Sequence, residues 1–214
     1  MAAKKYDKQI KSKSRVAERG EVFTKKEQVD AMLDLVKTEC SKIDSTFLEP
    51  ACGNGNFLVE ILARKLSTVK KKFGKIQKDY ELNLLVAVGS IYGIDIMEDN
   101  CEESRQRMYD IIEKEYKKKF KKEVDTDFLD SVKYILSQNI IAGDGLSGLR
   151  NDGYPIMFPQ WNLVMDKFKR EDYAMCDLLA YSDLEDKKTK LTEPRKIYPL
   201  VHYKLLKTLG KETA

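Results

Sequence analysis

The chain has 214 residues, of which 42% are hydrophobic and 35% charged, enough for one sizeable core or for one domain with an appendage. A formal net charge of +4 excludes a simple polycation, and no apolar run reaches membrane-spanning length. Four cysteines at 40, 52, 101 and 176 lack CxxC spacing, and His202 is the only histidine, so a zinc site lacks ligands and a disulfide framework is excluded in favour of reduced thiols.

The expectation is therefore a cytoplasmic protein without metal, and the basic start has no apolar stretch that would make it a signal peptide. Residues 1–19 are polar and lysine-rich and read as a basic arm, flexible or forming a short helix. Lys117, Lys118, Lys119, Lys121 and Lys122 form a second basic cluster. Either cluster suits phosphate groups, and either suits a solvated face. Gly20 to Thr24 make a short extended entry. Thr24 then caps a helix, with Glu27 completing a capping box and Val29, Met32, Leu33 and Val36 at helical spacing.

Thr46 to Pro50 reads as a buried strand and 53–56 as a turn. Phe57, Leu58, Ile61, Leu62 and Leu66 form the apolar stripe of the next helix. Lys70 to Lys78 is basic and exposed, Leu82 to Val88 a buried helix, and Ile91 to Ile96 a second strand. A long charged helix is expected from about Glu98 to about Phe120 and another from Asp127 to Leu136. Ile140 to Ala142 is a short strand that turns at Gly143-Asp144-Gly145. Alternating strands and helices predict an α/β fold with a parallel sheet and flanking helices. Beyond about residue 150 four prolines break the pattern, and the segment 151–214 is expected to be irregular.

In open α/β sheets ligands sit at the carboxyl ends of the strands. The first such end carries Gly53 and Gly55, whose backbone admits close approach, ahead of a helix N-terminus that favours an anion. A GxG turn alone suits a dinucleotide or is a plain turn. Leu58 stands where the dinucleotide fingerprint requires glycine, and Glu49 is placed to pair with the ammonium of a methionine moiety, which favours S-adenosylmethionine (SAM). The second end, Tyr92-Gly93-Ile94-Asp95-Ile96, offers a carboxylate for ribose hydroxyls, or one that caps the next helix. The third, Asp144, either accepts from an adenine amino group or belongs to an ordinary Asp-Gly turn.

Taken in order, Gly20-Glu21-Val22-Phe23-Thr24, FLEPACGNGNFL, IYGIDI and AGDGL resemble the motifs of the N6-adenine DNA methyltransferases of the γ arrangement. They span residues 20–146, with Lys25 replacing a proline of the first motif. The resemblance implies a Rossmann-like SAM-dependent methyltransferase fold with SAM as cofactor. Val22, Phe23 and Thr24 would fold over the methionine end. Glu49, Ala51, Gly53, Gly55, Asn56 and Phe57 would hold it. Asp95 would take the ribose, Ile96 would pack on the adenine, and Asp144, Gly145 and Leu146 would bind at its amino group. The family's catalytic [DNS]-P-P-[YF] is not found, because the sequence has no Pro-Pro pair. Pro159-Gln160-Trp161 is better read as packing than as a substitute.

Only three strands can be placed, so the sheet is expected to be incomplete or truncated. The domains expected are a basic arm over 1–19, a SAM-binding α/β domain over 20–150, and a C-terminal segment over 151–214 for docking or substrate recognition. Implied partners are DNA and a second protein subunit carrying the catalytic motif. The alternative is a catalytically inactive SAM-binding or regulatory protein.

Overall fold

The computed structural model describes residues 9–182 and 193–210, and its architecture is α/β. Strands β1 (Phe47–Glu49), β2 (Ile91–Asp95) and β3 (Ile140–Asp144) lie side by side in that order and run parallel, and the two-residue β4 (Leu149–Arg150) returns antiparallel on β3. Parallel neighbours need long crossovers. Helices α4 (Asn56–Phe73) and α5 (Gln77–Gly89) connect β1 to β2. Helices α6 (Glu98–Phe120) and α7 (Thr126–Asn139) connect β2 to β3. Three short helices precede the sheet: α1 (Lys13–Arg19), α2 (Lys26–Leu35) and α3 (Lys37–Ser41).

Strand side chains alternate between faces. On one face Phe47, Ile91, Ile140 and Ala142 pack into the main core with Leu58, Leu62, Leu84, Leu85, Met108, Ile112, Val132 and Ile135 from the four crossover helices. On the other face Tyr92, Ile94 and Ile141 meet a small cluster of Ile156, Phe158, Met175 and Leu179. The fully buried Lys65 of α4 fixes the entry to β1. Its ammonium donates to the carbonyls of Ile43 (3.1 Å) and Ser45 (2.5 Å) and to Ser90 Oγ (2.6 Å), and burial pushes it down to about 8.

The first-turn chemistry of α2 differs from expectation. The cap is Lys25, whose N–H donates to Gln28 Oε1 at 3.4 Å. Thr24 instead offers its carbonyl to Asn56 Nδ2 at 2.8 Å.

The larger correction lies beyond residue 150. Strands β5 (Met157–Val164) and β6 (Lys167–Ala174) form a hairpin paired along its whole length, closed by Met165 and Asp166. Helix α8 (Met175–Ser182) follows, and β7 (Lys196–Ile197) and β8 (Val201–His202) both pair with β6. Strand β6 buries alternate residues, Phe168, Arg170, Asp172 and Ala174. Two of these four inward positions are charged, so the period of two carries no apolar signature. The Arg170 guanidinium grips Asp172 with two bonds (2.6 and 2.9 Å), donates to Tyr134 Oη (2.6 Å) and lies over the ring of Tyr198.

The hairpin rests on α5 and α7. Trp161 Nε1 donates to Asn139 Oδ1 at 2.9 Å and the indole packs edge-on to Tyr134, which makes Trp161 a packing residue. A 3₁₀ turn, Tyr203–Thr208, is fastened to α7 by Lys207, which pairs with Asp127 (2.9 Å) and Asp130 (2.7 Å). Much of the segment expected to be irregular is thus ordered on the main body, while its residues 183–192 lie outside the described ones.

Among the described residues β1 pairs only with β2. The Phe47 N–H donates to Ser90 O, so by alternation the N–H and C=O of Leu48 face the free edge. Beside that edge lies a hollow of about 550 Å³ with Leu48, Tyr92, Phe158, Tyr173 and Leu178 among its walls. Among the described residues no helix is long and apolar enough to cross a membrane.

Replacing Asp172 with alanine leaves the Arg170 charge buried without its carboxylate. The expected loss is about 3–5 kcal/mol of unfolding free energy, read from urea denaturation. A loss within experimental error would show that the pair does not hold the hairpin.

Candidate functional site

Three strand ends and one preceding segment surround a cavity of about 560 Å³ at the carboxyl edge of the parallel strands. Thirteen of the fourteen residues expected from the sequence line it: Val22, Phe23, Thr24, Glu49, Ala51, Gly53, Asn56, Phe57, Asp95, Ile96, Asp144, Gly145 and Leu146. Gly55 does not. It sits at the N-cap of α4 with φ +84°, and a Cβ there would lie 2.7 Å from Ser104 Oγ of α6. The position needs glycine for backbone geometry and for close packing of the two helices, so its role is to shape the loop.

Asp95 organises the floor. One oxygen accepts the Gly53 N–H (2.9 Å), and the other accepts the Met97 N–H (2.9 Å) and Asn100 Nδ2 (3.0 Å). Asp95 thus holds the start of α6, as the capping reading expects, and its residue also lines the cavity. Gly53 adopts φ +52°, and the Phe23 ring lies against it, with an added Cβ 3.0 Å from Phe23 Cδ1. The loop is braced from behind by buried Arg107, which donates to Asn56 Oδ1 (2.9 Å) and to Asn54 O, and by Ser104 Oγ, which donates to Gly53 O (3.0 Å). The Cys52 thiol is buried against Cys101, and that contact together with burial pushes it well above its ordinary range.

Glu49 differs from the other acids. Its carboxylate is half-buried, and among the described residues it accepts only a long bond from the Ala51 N–H (3.3 Å) and makes no ion pair. Burial pushes its carboxyl above the ordinary range, and the Ala51 N–H opposes this. A carboxylate desolvated without a counter-charge is a place for a cationic ligand. Asp144 is the reverse case: the Leu146 N–H donates to its Oδ1 (2.9 Å) and holds it below the usual range. Ile96, Leu146 and Val22 are exposed apolar side chains on the cavity wall.

Nine further residues line the cavity. Gly20, Glu21, Pro50, Cys52, Asn54 and Gly143 lie within the sequence motifs but are not among the residues that the resemblance assigns to the site, and Arg19, Met97 and Asn100 lie outside the motifs. Asn100 Nδ2 also donates to Glu21 Oε1 at 3.3 Å, so two carboxylates fix which way the amide points. Its Oδ1, like that of Asn54, is buried with no partner among the described residues. Both residues line the cavity.

Residues 1–8 of the expected basic arm lie outside the described ones, and in residues 9–19 Lys11 and Arg15 are held in ion pairs. Arg15 forks onto Asp99 (2.7 and 2.8 Å) and pairs with Glu21 (2.5 Å), and Lys11 pairs with Asp99 (2.9 Å) and Glu103 (3.1 Å). Helix α1 is thereby latched to the first turns of α6. The Arg15 guanidinium, followed by Lys11, holds the Asp99 carboxyl well below the usual carboxylate range. Among the described residues no group of three or more His, Cys, Asp or Glu is placed to hold a metal ion.

Comparison of the chain with protein-family models, with curated proteins and with solved structures found no match.

The latch predicts a local and salt-sensitive effect. Asp99→Asn should raise the rate of tryptic cleavage within residues 9–24 several-fold while lowering global stability by less than about 1 kcal/mol. Unchanged cleavage would mean that the ion pairs do not hold the segment.

Proposed function

We propose that this chain binds S-adenosylmethionine in a Rossmann-like methyltransferase domain and is the SAM-binding half of a partner-dependent enzyme that methylates adenine N6 in DNA. The observation that carries the cofactor reading is the placement of Glu49, Asp95 and Asp144. They stand at or beside the carboxyl ends of three adjacent parallel strands, around one cavity and next to a glycine loop. Glu49 has the unmet negative charge that the methionine ammonium would satisfy. Asp95 keeps part of its acceptor capacity for a ribose hydroxyl after its three internal bonds. Ile96 and Leu146 offer apolar surface for a purine, and Asp144 is held ionised to accept from its amino group.

Bound SAM would supply an electrophilic methyl group on a good leaving group. The contribution of this chain is orientation of that group, the proximity part of catalysis. The acceptors that would engage the target amino group are not recognisable, because no Pro-Pro pair occurs in the sequence. Partner dependence is supported by the free edge of β1, since an uncovered edge of a parallel sheet invites another strand. A second chain adding a strand beside Leu48 would cover that edge and could bring the missing constellation. The same missing motif favours one other reading, a SAM-binding regulatory protein without transfer activity. Methyl transfer from labelled SAM to DNA separates the two: partner dependence expects none from the chain alone and transfer when the second subunit is added. Transfer by the chain alone contradicts both.

Calorimetric titration tests the cofactor reading. Glu49→Gln should weaken SAM binding about 10- to 100-fold by removing one charge-assisted contact. Wild-type affinity should fall as pH drops through the raised Glu49 pKa, because protonation removes the counter-charge, and the variant should lack that dependence. Equal affinity in the two proteins would remove Glu49 from the site.

A further inference from the structure

Helices α4 and α6 both begin at the cavity and run away from it. Eighteen residues carry the end of α4 about 27 Å from its start. There the two helix ends meet. Lys70 pairs with Glu115, Gln77 Nε2 donates to Tyr116 Oη (2.8 Å) and Glu123 O (2.7 Å), and Lys119 Nζ lies 6.0 Å from the centre of the Tyr80 ring. Two lysine runs far apart in sequence thus become one surface.

Glu113 and Glu115 are already paired, with Lys117 and Lys70. Lys71, Lys72 and Lys75 on one side and Lys114, Lys118 and Lys121 on the other are exposed and make no direct ion pair among the described residues. Against these six and Lys119, which makes only ring contacts, stand two acids, Asp79 and Glu123, that make no ion pair among the described residues. The resulting excess of five positive charges exceeds the formal net charge of the entire chain, +4. The attraction of cations to helix C-termini accounts for lysines in the last turns only; Lys75 and Lys121 lie beyond the helix ends. Among the described residues the one large apolar side chain exposed beside them is Ile76, too little for the apolar centre of a protein–protein interface. Lysine-dense surfaces of this composition match a regular array of phosphates.

We propose that this end of the molecule binds the phosphate backbone of duplex DNA, at a surface separate from the cofactor cavity. The surface is read without SAM, and the choice of duplex DNA as its occupant rests on the proposed function.

The test is fluorescence anisotropy of the full chain with a duplex of about 20 base pairs, over roughly 50–200 mM salt. Three proteins are compared: wild type, Lys72→Gln/Lys118→Gln/Lys121→Gln, and a control with the same charge removed elsewhere, Lys37→Gln/Lys167→Gln/Lys196→Gln. Thermal melts verify that all three fold. The first variant should lower the salt slope by about 2.7, at about 0.9 per phosphate contact, and weaken binding on the order of tenfold or more at low salt. The control should change both far less. Equal losses in the two variants, or none in the first, would overturn the proposal. So would competition by polyglutamate as effective as that by DNA, which would assign the surface to an acidic protein.

Discussion

The carboxylate of Asp95 joins three parts of the chain at the cavity floor. It receives the Gly53 N–H from the loop after β1, the Met97 N–H from the start of α6, and the Asn100 side chain from the first turn of that helix. Asn100 in turn reaches Glu21, Glu21 pairs with Arg15, and Arg15 forks onto Asp99. The N-terminal segment, the glycine loop and the second strand end therefore hang on one hydrogen-bonded chain. Such networks are strong when every member is satisfied. Asn54 Oδ1 and Asn100 Oδ1 are buried with no partner among the described residues, in two residues that line the cavity.

Charge is distributed unevenly between the two ends of the crossover helices. The cavity end carries Glu49, half-buried and without an ion pair among the described residues, and Asp144, held below the usual carboxylate range. The far end of α4 and α6 carries the unpaired lysines. Between them lies a sheet whose first strand, among the described residues, is paired on one side only. Under the proposed function these are three separate surfaces, for a cationic cofactor, for a polyanion and for an added strand.

The site was largely legible in the sequence because its residues cluster in short motifs at strand ends, where alternating apolar runs fix the strands and glycines fix the turns. The exception, Gly55, belongs to a motif but is required by helix packing against Ser104, a contact with a residue far along the chain. Arg107 and Asn100 were illegible for the same reason: each looks like an ordinary polar residue of a charged helix until the fold buries it. The hairpin after residue 156 escaped because its inward positions include Arg170 and Asp172. Their mutual pairing replaces apolar burial, so the pattern of hydrophobicity that marks a strand is missing. The latch formed by Lys11 and Arg15 was hidden in a run of basic residues whose partners, Asp99 and Glu103, come from a distant helix.

The most direct test of the central claim is where SAM protects the chain. Hydrogen exchange of the full protein, measured by mass spectrometry with and without saturating SAM, should show protection in segments 20–24, 49–57, 95–100 and 143–146, with none at the lysine-rich ends of α4 and α6. Protection absent from these four segments, or confined to another part of the chain, would contradict the placement of the cofactor in this cavity.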